Sequence, residues 1–438
     1  MRSEGWGGTG RAEARAALGA FARAVGRMAW AAAVAMVSVA AARAGGPIPD
    51  VGTFGGGARA GGFAQVLEPR EFEFPQDHGP HPEYRQEWWY VTGNLDSATG
   101  ERFGFELTFF RFALAPEEGA APVLAAGSDR AREVSAAPTA VGPDVARTTA
   151  MSAWRTDQVY MAHFAVTDAA HKQFRFEQKL SRGGAIGLAG AQNPPLNVWI
   201  DDWSLRAAAP EDTGAAAAVT SPAGSRWRLH AVESGYELTL DAQALQPPVL
   251  NGDRGFSRKS SDPGSASYYY SMPRVPVRGR LVRDGKPLEV EGLAWVDREW
   301  GSGALGRDEQ GWDWFALQLR DGSALMFYSL RGHDGRRDSH SAGTWVAATG
   351  QSQPLSSEQV QIDVLDYWSN PRGERYPAHW RVRVPARGVD LDVRPILSNQ
   401  ELTVSARYWE GAVDVNGASD GQQTVGRGYV ELVGYAAQ

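Results

Sequence analysis

The chain has 438 residues, a formal net charge of −7 and no cysteine. That length holds two or three domains. The missing cysteine excludes disulfides, thiolate metal sites, a cysteine nucleophile and a bacterial lipoprotein anchor.

Arg2, Arg11, Arg15, Arg23 and Arg27 form a basic leader ahead of an uncharged apolar run from Met28 to Ala42. Ala42-Arg43-Ala44 is a small-x-small cleavage site, so residues 1–44 read as a signal peptide cut after Ala44. The run is 15 residues long, short of the roughly 20 that a spanning helix needs; an uncleaved anchor is the alternative. The expected location is periplasmic or secreted. Setting aside the leader's six arginines and two glutamates, net +4, turns −7 into −11 for the rest. So acidic a body argues against nucleic acid as a partner, and leaves membrane contact transient or confined to an uncleaved leader.

Residues 45–67 are rich in Gly, Ala and Pro and read as a flexible linker. Gln86–Leu95 and Phe103–Phe112, joined by Asp96-Ser-Ala-Thr-Gly100, read as an aromatic hairpin. Residues 115–148 and 207–225 are Ala-rich insertions without a clear period. Between and after them come strand-like segments: Gln158–Thr167, Gln173–Lys179, Leu196–Leu205, Trp227–Val232, Tyr236–Ala242, Tyr268–Ser271 and Val277–Arg283. Past residue 301 the series continues with Ala324–Leu330, Gly343–Ala347, Gln359–Trp368, Tyr376–Val384, Val389–Val393, Val404–Val415 and Gly428–Tyr435. Short strands between Gly, Pro and Asp turns predict an all-β sandwich or barrel.

Two hairpins recur in the same order. Trp88–Leu95 with Phe103–Arg111 can be laid on Trp312–Leu319 with Leu325–Arg331. Trp227–Ala231 with Tyr236–Leu240 can be laid on Trp380–Val384 with Val389–Val393. This predicts two related β domains, the first enlarged by the insertions.

The stretch Gly292–Gly301, followed by Gly311–Leu319, concentrates Trp295, Trp300, Trp312 and Trp314 with Asp297, Glu299 and Asp313. Alternation puts Trp295, Asp297 and Glu299 on one strand face and Asp313 with Phe315, Leu317 and Leu319 on another. A carboxyl on an apolar face has its pKa raised and could deliver a proton near neutral pH. The rival reading is ion pairing with Arg298, Arg280 or Arg283. The tryptophans either fill β cores or line an apolar pocket. His163, inside an apolar strand, is a hydrogen-bonded core residue or an acid/base. His78 and His81 sit in a Pro-rich loop and read as solvated, with no carboxylate framework for a metal. The chain carries no G-x-S-x-G elbow, H-E-x-x-H, P-loop or dinucleotide fingerprint.

At Glu87–Leu95 and Gly292–Gly301 the chain resembles the carotenoid 1,2-hydratase (hydroxyneurosporene synthase) family, in its AttH-like branch of secreted proteins. Ala162–Asp168, Val198–Trp203, Ala266–Ser271 and Gly311–Leu319 support the likeness, which runs from about residue 68 to the C terminus. The resemblance implies two lipocalin-like β-barrel domains, 68–270 and 271–438, related by duplication. It implies a hydrophobic ligand held between or within them, no cofactor, and association with an ABC-type exporter.

Two functions follow as expectations. One is an exported carrier of a lipid or isoprenoid-like molecule, with Trp88, Trp89, Trp295, Trp300, Trp312, Trp314 and Tyr269 around the ligand. The other is a cofactor-free hydratase that protonates an isoprenoid C=C bond, with Asp297, Asp313, Glu299 and His163 as candidate acid/base groups and no metal.

Overall fold

The computed structural model describes residues 62–116, 156–184, 186–208, 225–233, 235–303, 305–306 and 308–436. The leader and most of the linker and of both insertions lie outside these residues. Among the described residues the helical pieces are the short 3-10 turns Gln76–His78 and Pro385–Arg387.

The first sheet is built from β1 (Gln86–Ser97), β2 (Arg102–Ala113), β3 (Gln158–Asp168), β4 (Gln173–Arg182), β5 (Ala189–Gln192), β6 (Asn197–Ile200), β7 (Trp203–Ala207), β8 (Arg226–Glu233), β9 (Tyr236–Gln243), β10 (Val249–Leu250), β11 (Phe256–Arg258), β12 (Ala266–Arg283) and β13 (Lys286–Gly301). The second contains β14 (Glu309–Leu319), β15 (Ala324–Gly332), β16 (Ala342–Val346), β17 (Ser352–Ser356), β18 (Gln361–Ser369), β19 (Arg375–Val384), β20 (Val389–Pro395), β21 (Glu401–Thr403), β22 (Arg407–Ser419) and β23 (Gln422–Leu432).

The first sheet runs β4-β3-β2-β1-β13-β12-β9-β8-β7, then β6 and β5. The second runs β17-β16-β15-β14-β23-β22-β20-β19-β18. Position for position the orders correspond. The aromatic hairpin β1–β2 matches β14–β15, and β8–β9 matches β19–β20, as the repeated sequence pairs predict. The first sheet curls until β3 and β4 pack against β6 and β8, giving a nearly closed barrel; the second is a half-barrel.

Each sheet encloses its own apolar core. Trp89, Phe105, Leu107, Phe164, Trp203, Tyr270 and Trp300 belong to the first. Phe315, Leu317, Phe327, Trp380, Trp409 and Val430 belong to the second. A third cluster, with Tyr90, Tyr269, Trp295, Trp314, Met326, Tyr328 and Tyr429, joins the outer faces of the two sheets. Strands such as β1 and β13 are therefore covered on both sides, which explains their unbroken Trp-Trp-Tyr-Val character. The sheets pack tightly at Gly104, where a Cβ would stand 2.5 Å from the Ala412 Cβ.

Three expectations change. The boundary at 270/271 falls inside β12, and β12 and β13 both belong to the first sheet, so the sheets divide between Gly301 and Glu309. Those strands complete the first barrel by closing β1 onto β9. Leu196–Leu205 is not one strand but the hairpin β6–β7, because Asp201 takes a φ of 52° and reverses the chain. The His78–His81 loop is packed rather than solvated. His78 Nδ1 lies 2.6 Å from the Tyr270 hydroxyl, and His81 stacks on Trp300 at 3.8 Å between Asp77 and Glu87.

Candidate functional site

Alternation along each strand decides what faces the space between the sheets. On β1 the even residues Gln86, Trp88 and Tyr90 point there, while Glu87, Trp89 and Val91 turn into the barrel. On β2 it is Glu106 and Phe110, and on β13 Asp297 and Glu299. From the other side come Trp312 and Trp314 of β14, Tyr328 and Leu330 of β15, and Glu431 of β23. With Lys259, Ser267 and Tyr269 they line a cavity offering about 140 Å³ to water-sized molecules. Gln86, Gly303 and Leu305 are partly exposed and form its rim.

Asp297 is the most heavily bonded carboxyl here. It accepts from Tyr269 Oη at 2.5 Å, Ser271 Oγ at 2.5 Å and Trp295 Nε1 at 2.7 Å. Trp314 Nε1 donates in turn to Tyr269 Oη over 3.1 Å. Burial pushes the Asp297 carboxyl up to about 7, against the pull of those three donors. Among the described residues no arginine or lysine pairs with it directly.

Glu299, two residues on, accepts from Ser267 Oγ and lies 3.1 Å from Lys259 Nζ. Burial disfavours the Lys259 charge, but Glu299 and the other groups around it, Tyr328 and Asp297, together outweigh that and raise its pKa. Its ammonium also stands 4.2 Å over the Tyr328 ring and 5.1 Å from the Tyr269 ring centre. The arginines expected to neutralise these acids go elsewhere. Arg298 faces the barrel interior and bonds Glu87, Arg283 pairs with Glu101 and Asp168, and Arg280 reaches toward Glu237.

Two acids that sequence reasoning missed complete the lining. Glu431 accepts from Trp312 Nε1 at 2.6 Å, and burial pushes it up to about 7. Glu106 accepts from Tyr408 Oη at 3.2 Å, and burial pushes it up to about 8. Behind them Glu410, raised well above the carboxylate range by burial, accepts from Tyr90 Oη at 2.5 Å. The signal for Glu431 lay in the repeat. Trp88 and Tyr90 correspond to Trp312 and Trp314; Tyr90 stands opposite Asp297, and Trp314 opposite Glu431. Asp297 and Glu431 thus occupy equivalent positions of the duplicated halves, and the two halves turn them toward one cavity.

Other candidates lie apart. Asp313 is on the opposite face of β14, held by Arg331 Nη1 at 2.6 Å and Tyr435 Oη at 2.9 Å, and does not line the cavity. His163 is fully buried, 2.6 Å from Tyr408 Oη, and burial lowers it to about 3, so it is a neutral ring that reaches Glu106 through the Tyr408 hydroxyl. Trp88, Trp312, Trp314 and Tyr269 are in the lining. Trp295 touches the site through its bond to Asp297. Trp89 and Trp300 face the first barrel's core, where Arg298 lies 4.0 Å over the Trp89 ring.

Residues 65–435 match a family model described as AttH-like. The fold is shared with an AttH-type protein from Nitrosomonas europaea, at 33% identity and a TM-score of 0.68, over 85% of this chain and 100% of that one. Kievitone hydratase from Nectria haematococca superimposes with a TM-score of 0.58 at 13% identity, over 86% of this chain and 98% of its own, a likeness of fold alone. The dehydratase asqC of Emericella nidulans is 25% identical over 210 residues, 44% of this chain and 57% of the dehydratase. The chain thus spans little more than half the length of that relative.

Proposed function

Because the chain belongs to the AttH-like family, we propose that its interdomain cavity adds water to, or removes it from, a carbon–carbon double bond of a small, largely apolar molecule. The observation that carries this reading is Asp297, a buried carboxyl among aromatic rings that still holds its proton close to neutral pH. The similarity to a dehydratase supports the same class of chemistry.

In the hydration direction Asp297 gives its proton to one carbon of the double bond. The oxygen of a water molecule bonds to the other carbon, and its surplus proton passes to Glu431. Exchange of one proton between Glu431 and Asp297 through solvent restores the starting state. Dehydration runs the same steps in reverse. The faces of Trp88, Trp312 and Trp314 exclude bulk water from the reacting carbons.

Size restricts the substrate. A cavity of about 150 Å³ in another protein holds one benzene, so about 140 Å³ admits one ring-sized group. A long isoprenoid, as in the carotenoid hydratase branch, would enter by one end only. The test is incubation of the purified chain in D2O with ring-sized alkenes, enones and tertiary alcohols. NMR should find deuterium at carbon, and Asp297→Asn should slow its uptake about 100-fold or more. No uptake from any bound member of the panel would remove the support for this reading.

The aromatic lining favours a second reading, in which an exported protein carries an apolar molecule unchanged and passes it to or from an ABC-type exporter. An unmodified host lipid retained through purification and seen by mass spectrometry, without deuterium uptake, is the outcome that favours the carrier.

A further inference from the structure

Among the described residues Lys259 is the cation that faces this cavity, and neither the proton transfers above nor an apolar cargo uses it. We infer that the substrate carries a neutral carbonyl conjugated to the reacting double bond, and that Lys259 Nζ donates to its oxygen; this rests on the hydro-lyase reading of the same cavity. An ammonium has three N–H donors. Glu299 takes one at 3.1 Å, and the ring faces of Tyr328 and Tyr269, 4.2 and 5.1 Å away, attract the charge without themselves accepting an N–H as an oxygen would. The side chain is 16% exposed, so most of it is withdrawn from solvent. A hydrocarbon in the cavity would cover that charge and offer it nothing, at a desolvation cost.

The rest of the lining selects among oxygen ligands. Asp297, Glu299, Glu106 and Glu431 all face the same space as this single lysine. The Glu299 carboxylate already balances Lys259 and the proton-accepting Glu431 adds a further negative charge, so a carboxylate or phosphate would meet more like charge than opposite charge. A neutral carbonyl takes the hydrogen bond without that repulsion.

The chemistry closes with the same proton donor and acceptor. In hydration, water attacks the carbon β to the carbonyl while its surplus proton goes to Glu431. The electron pair of the C=C bond shifts toward the carbonyl oxygen, where the Lys259 ammonium stabilises the developing enolate. Asp297 then protonates the α carbon, the C=O bond re-forms, and the product is a β-hydroxy carbonyl compound. No oxidant, reductant or further reactant is required.

The test compares two probes of one shape, cyclohex-2-en-1-one and 3-methylidenecyclohexene, by quenching of tryptophan fluorescence. The wild-type chain should bind the enone about tenfold or more tightly than the diene, the range of a hydrogen bond from a charged donor. Lys259→Met should bring the ratio close to one. So should Lys259→Met with Glu299→Gln, which removes both charges together and leaves no unpaired carboxylate. The infrared carbonyl band of wild-type-bound enone should lie below its position in water. A ratio near one in the wild type, a ratio kept by the lysine variants, or an unshifted band overturns the inference. Binding is read without turnover, so the two readings fail separately. A lysine-dependent preference without deuterium uptake sinks the hydration reading alone, and uptake without the preference sinks only the carbonyl contact.

Discussion

Tyr269 and Asp297 meet across β12 and β13, with the phenol donating to Oδ2 over 2.5 Å. That bond favours the ionised carboxylate and so works against burial, which pushes Asp297 up to about 7. Tyr269→Phe removes one of three donors and also the acceptor of Trp314 Nε1. The Asp297 pKa should therefore rise further, keeping the acid protonated to higher pH. The alkaline limb of the pH–rate profile should move upward, and a carbon-13 titration of the Asp297 carboxyl should move with it. An unchanged titration would mean that the phenol does not bond the ionised form.

Global stability should fall as pH rises from about 6.5 to 8. Asp297, Glu431 and Glu106 titrate at about 7, 7 and 8 in the folded chain, against ordinary values of 3.8, 4.5 and 4.5. In this window the folded state binds more protons than the unfolded one, so deprotonation favours unfolding. His78 and His163, each lowered to about 3, oppose the trend only below their ordinary value of 6.5, where the unfolded chain gains protons. Urea midpoints measured at pH 6.5, 7.2 and 8 should decline in that order. Glu106→Gln should flatten the decline, mainly at its upper end.

Trp88 and Trp89 show what the sequence could and could not reveal. Strand alternation correctly grouped Trp295, Asp297 and Glu299 on one face, and Asp313 with the Phe315 face, because that periodicity is local. It could not say which face met a core and which met a second sheet, since both sides of β1 and β13 are covered. Trp89 and Trp300 consequently looked the same as Trp88 and Trp312. The duplicated hairpins were legible because hairpin register is local too; the order in which the hairpins join into a sheet was not, because it is set by long-range pairings such as β1 with β13. Glu106 and Lys259 were not legible. One sits singly among aromatics on β2 and the other just past β11; long-range pairing through β1, β13 and β12 puts them on one face of the first sheet, and the second sheet closes the cavity over them.

Glu87 sits wholly buried on the barrel side of β1, accepting from Arg111 Nε and lying 3.0 Å from Arg298 Nη2. Burial works to raise its pKa, yet the two guanidiniums and His81 hold it well below the usual carboxylate range. Glu87→Gln would leave two buried cations without their carboxylate. The expected loss is about 3–5 kcal/mol in urea unfolding. Asp390→Asn, which breaks the exposed pair with Arg381, should leave the midpoint unchanged. Equal effects would contradict the burial of the Glu87 network.

The cavity depends on how closely the two sheets approach, and Gly104 is a point where they pack too tightly for a side chain. A Cβ there would lie 2.5 Å from the Ala412 Cβ and 3.3 Å from the Thr167 Cβ. Gly104→Val must push β2 away from β22, since neither backbone strand can yield as a flexible side chain would. Overpacking of this kind costs about 1–3 kcal/mol. The displacement should also reach the cavity, because Glu106 is two residues along the same face and Tyr408 and Glu410 stand on the facing strand. Ala412→Gly, which alone costs about 1 kcal/mol at this buried strand position, should cost less or recover part of the loss when combined with Gly104→Val. A double-mutant cycle on urea stability, read beside quenching of the cavity tryptophans by cyclohexenone, tests both effects. Strict additivity of the two substitutions would mean that the sheets do not meet at this point.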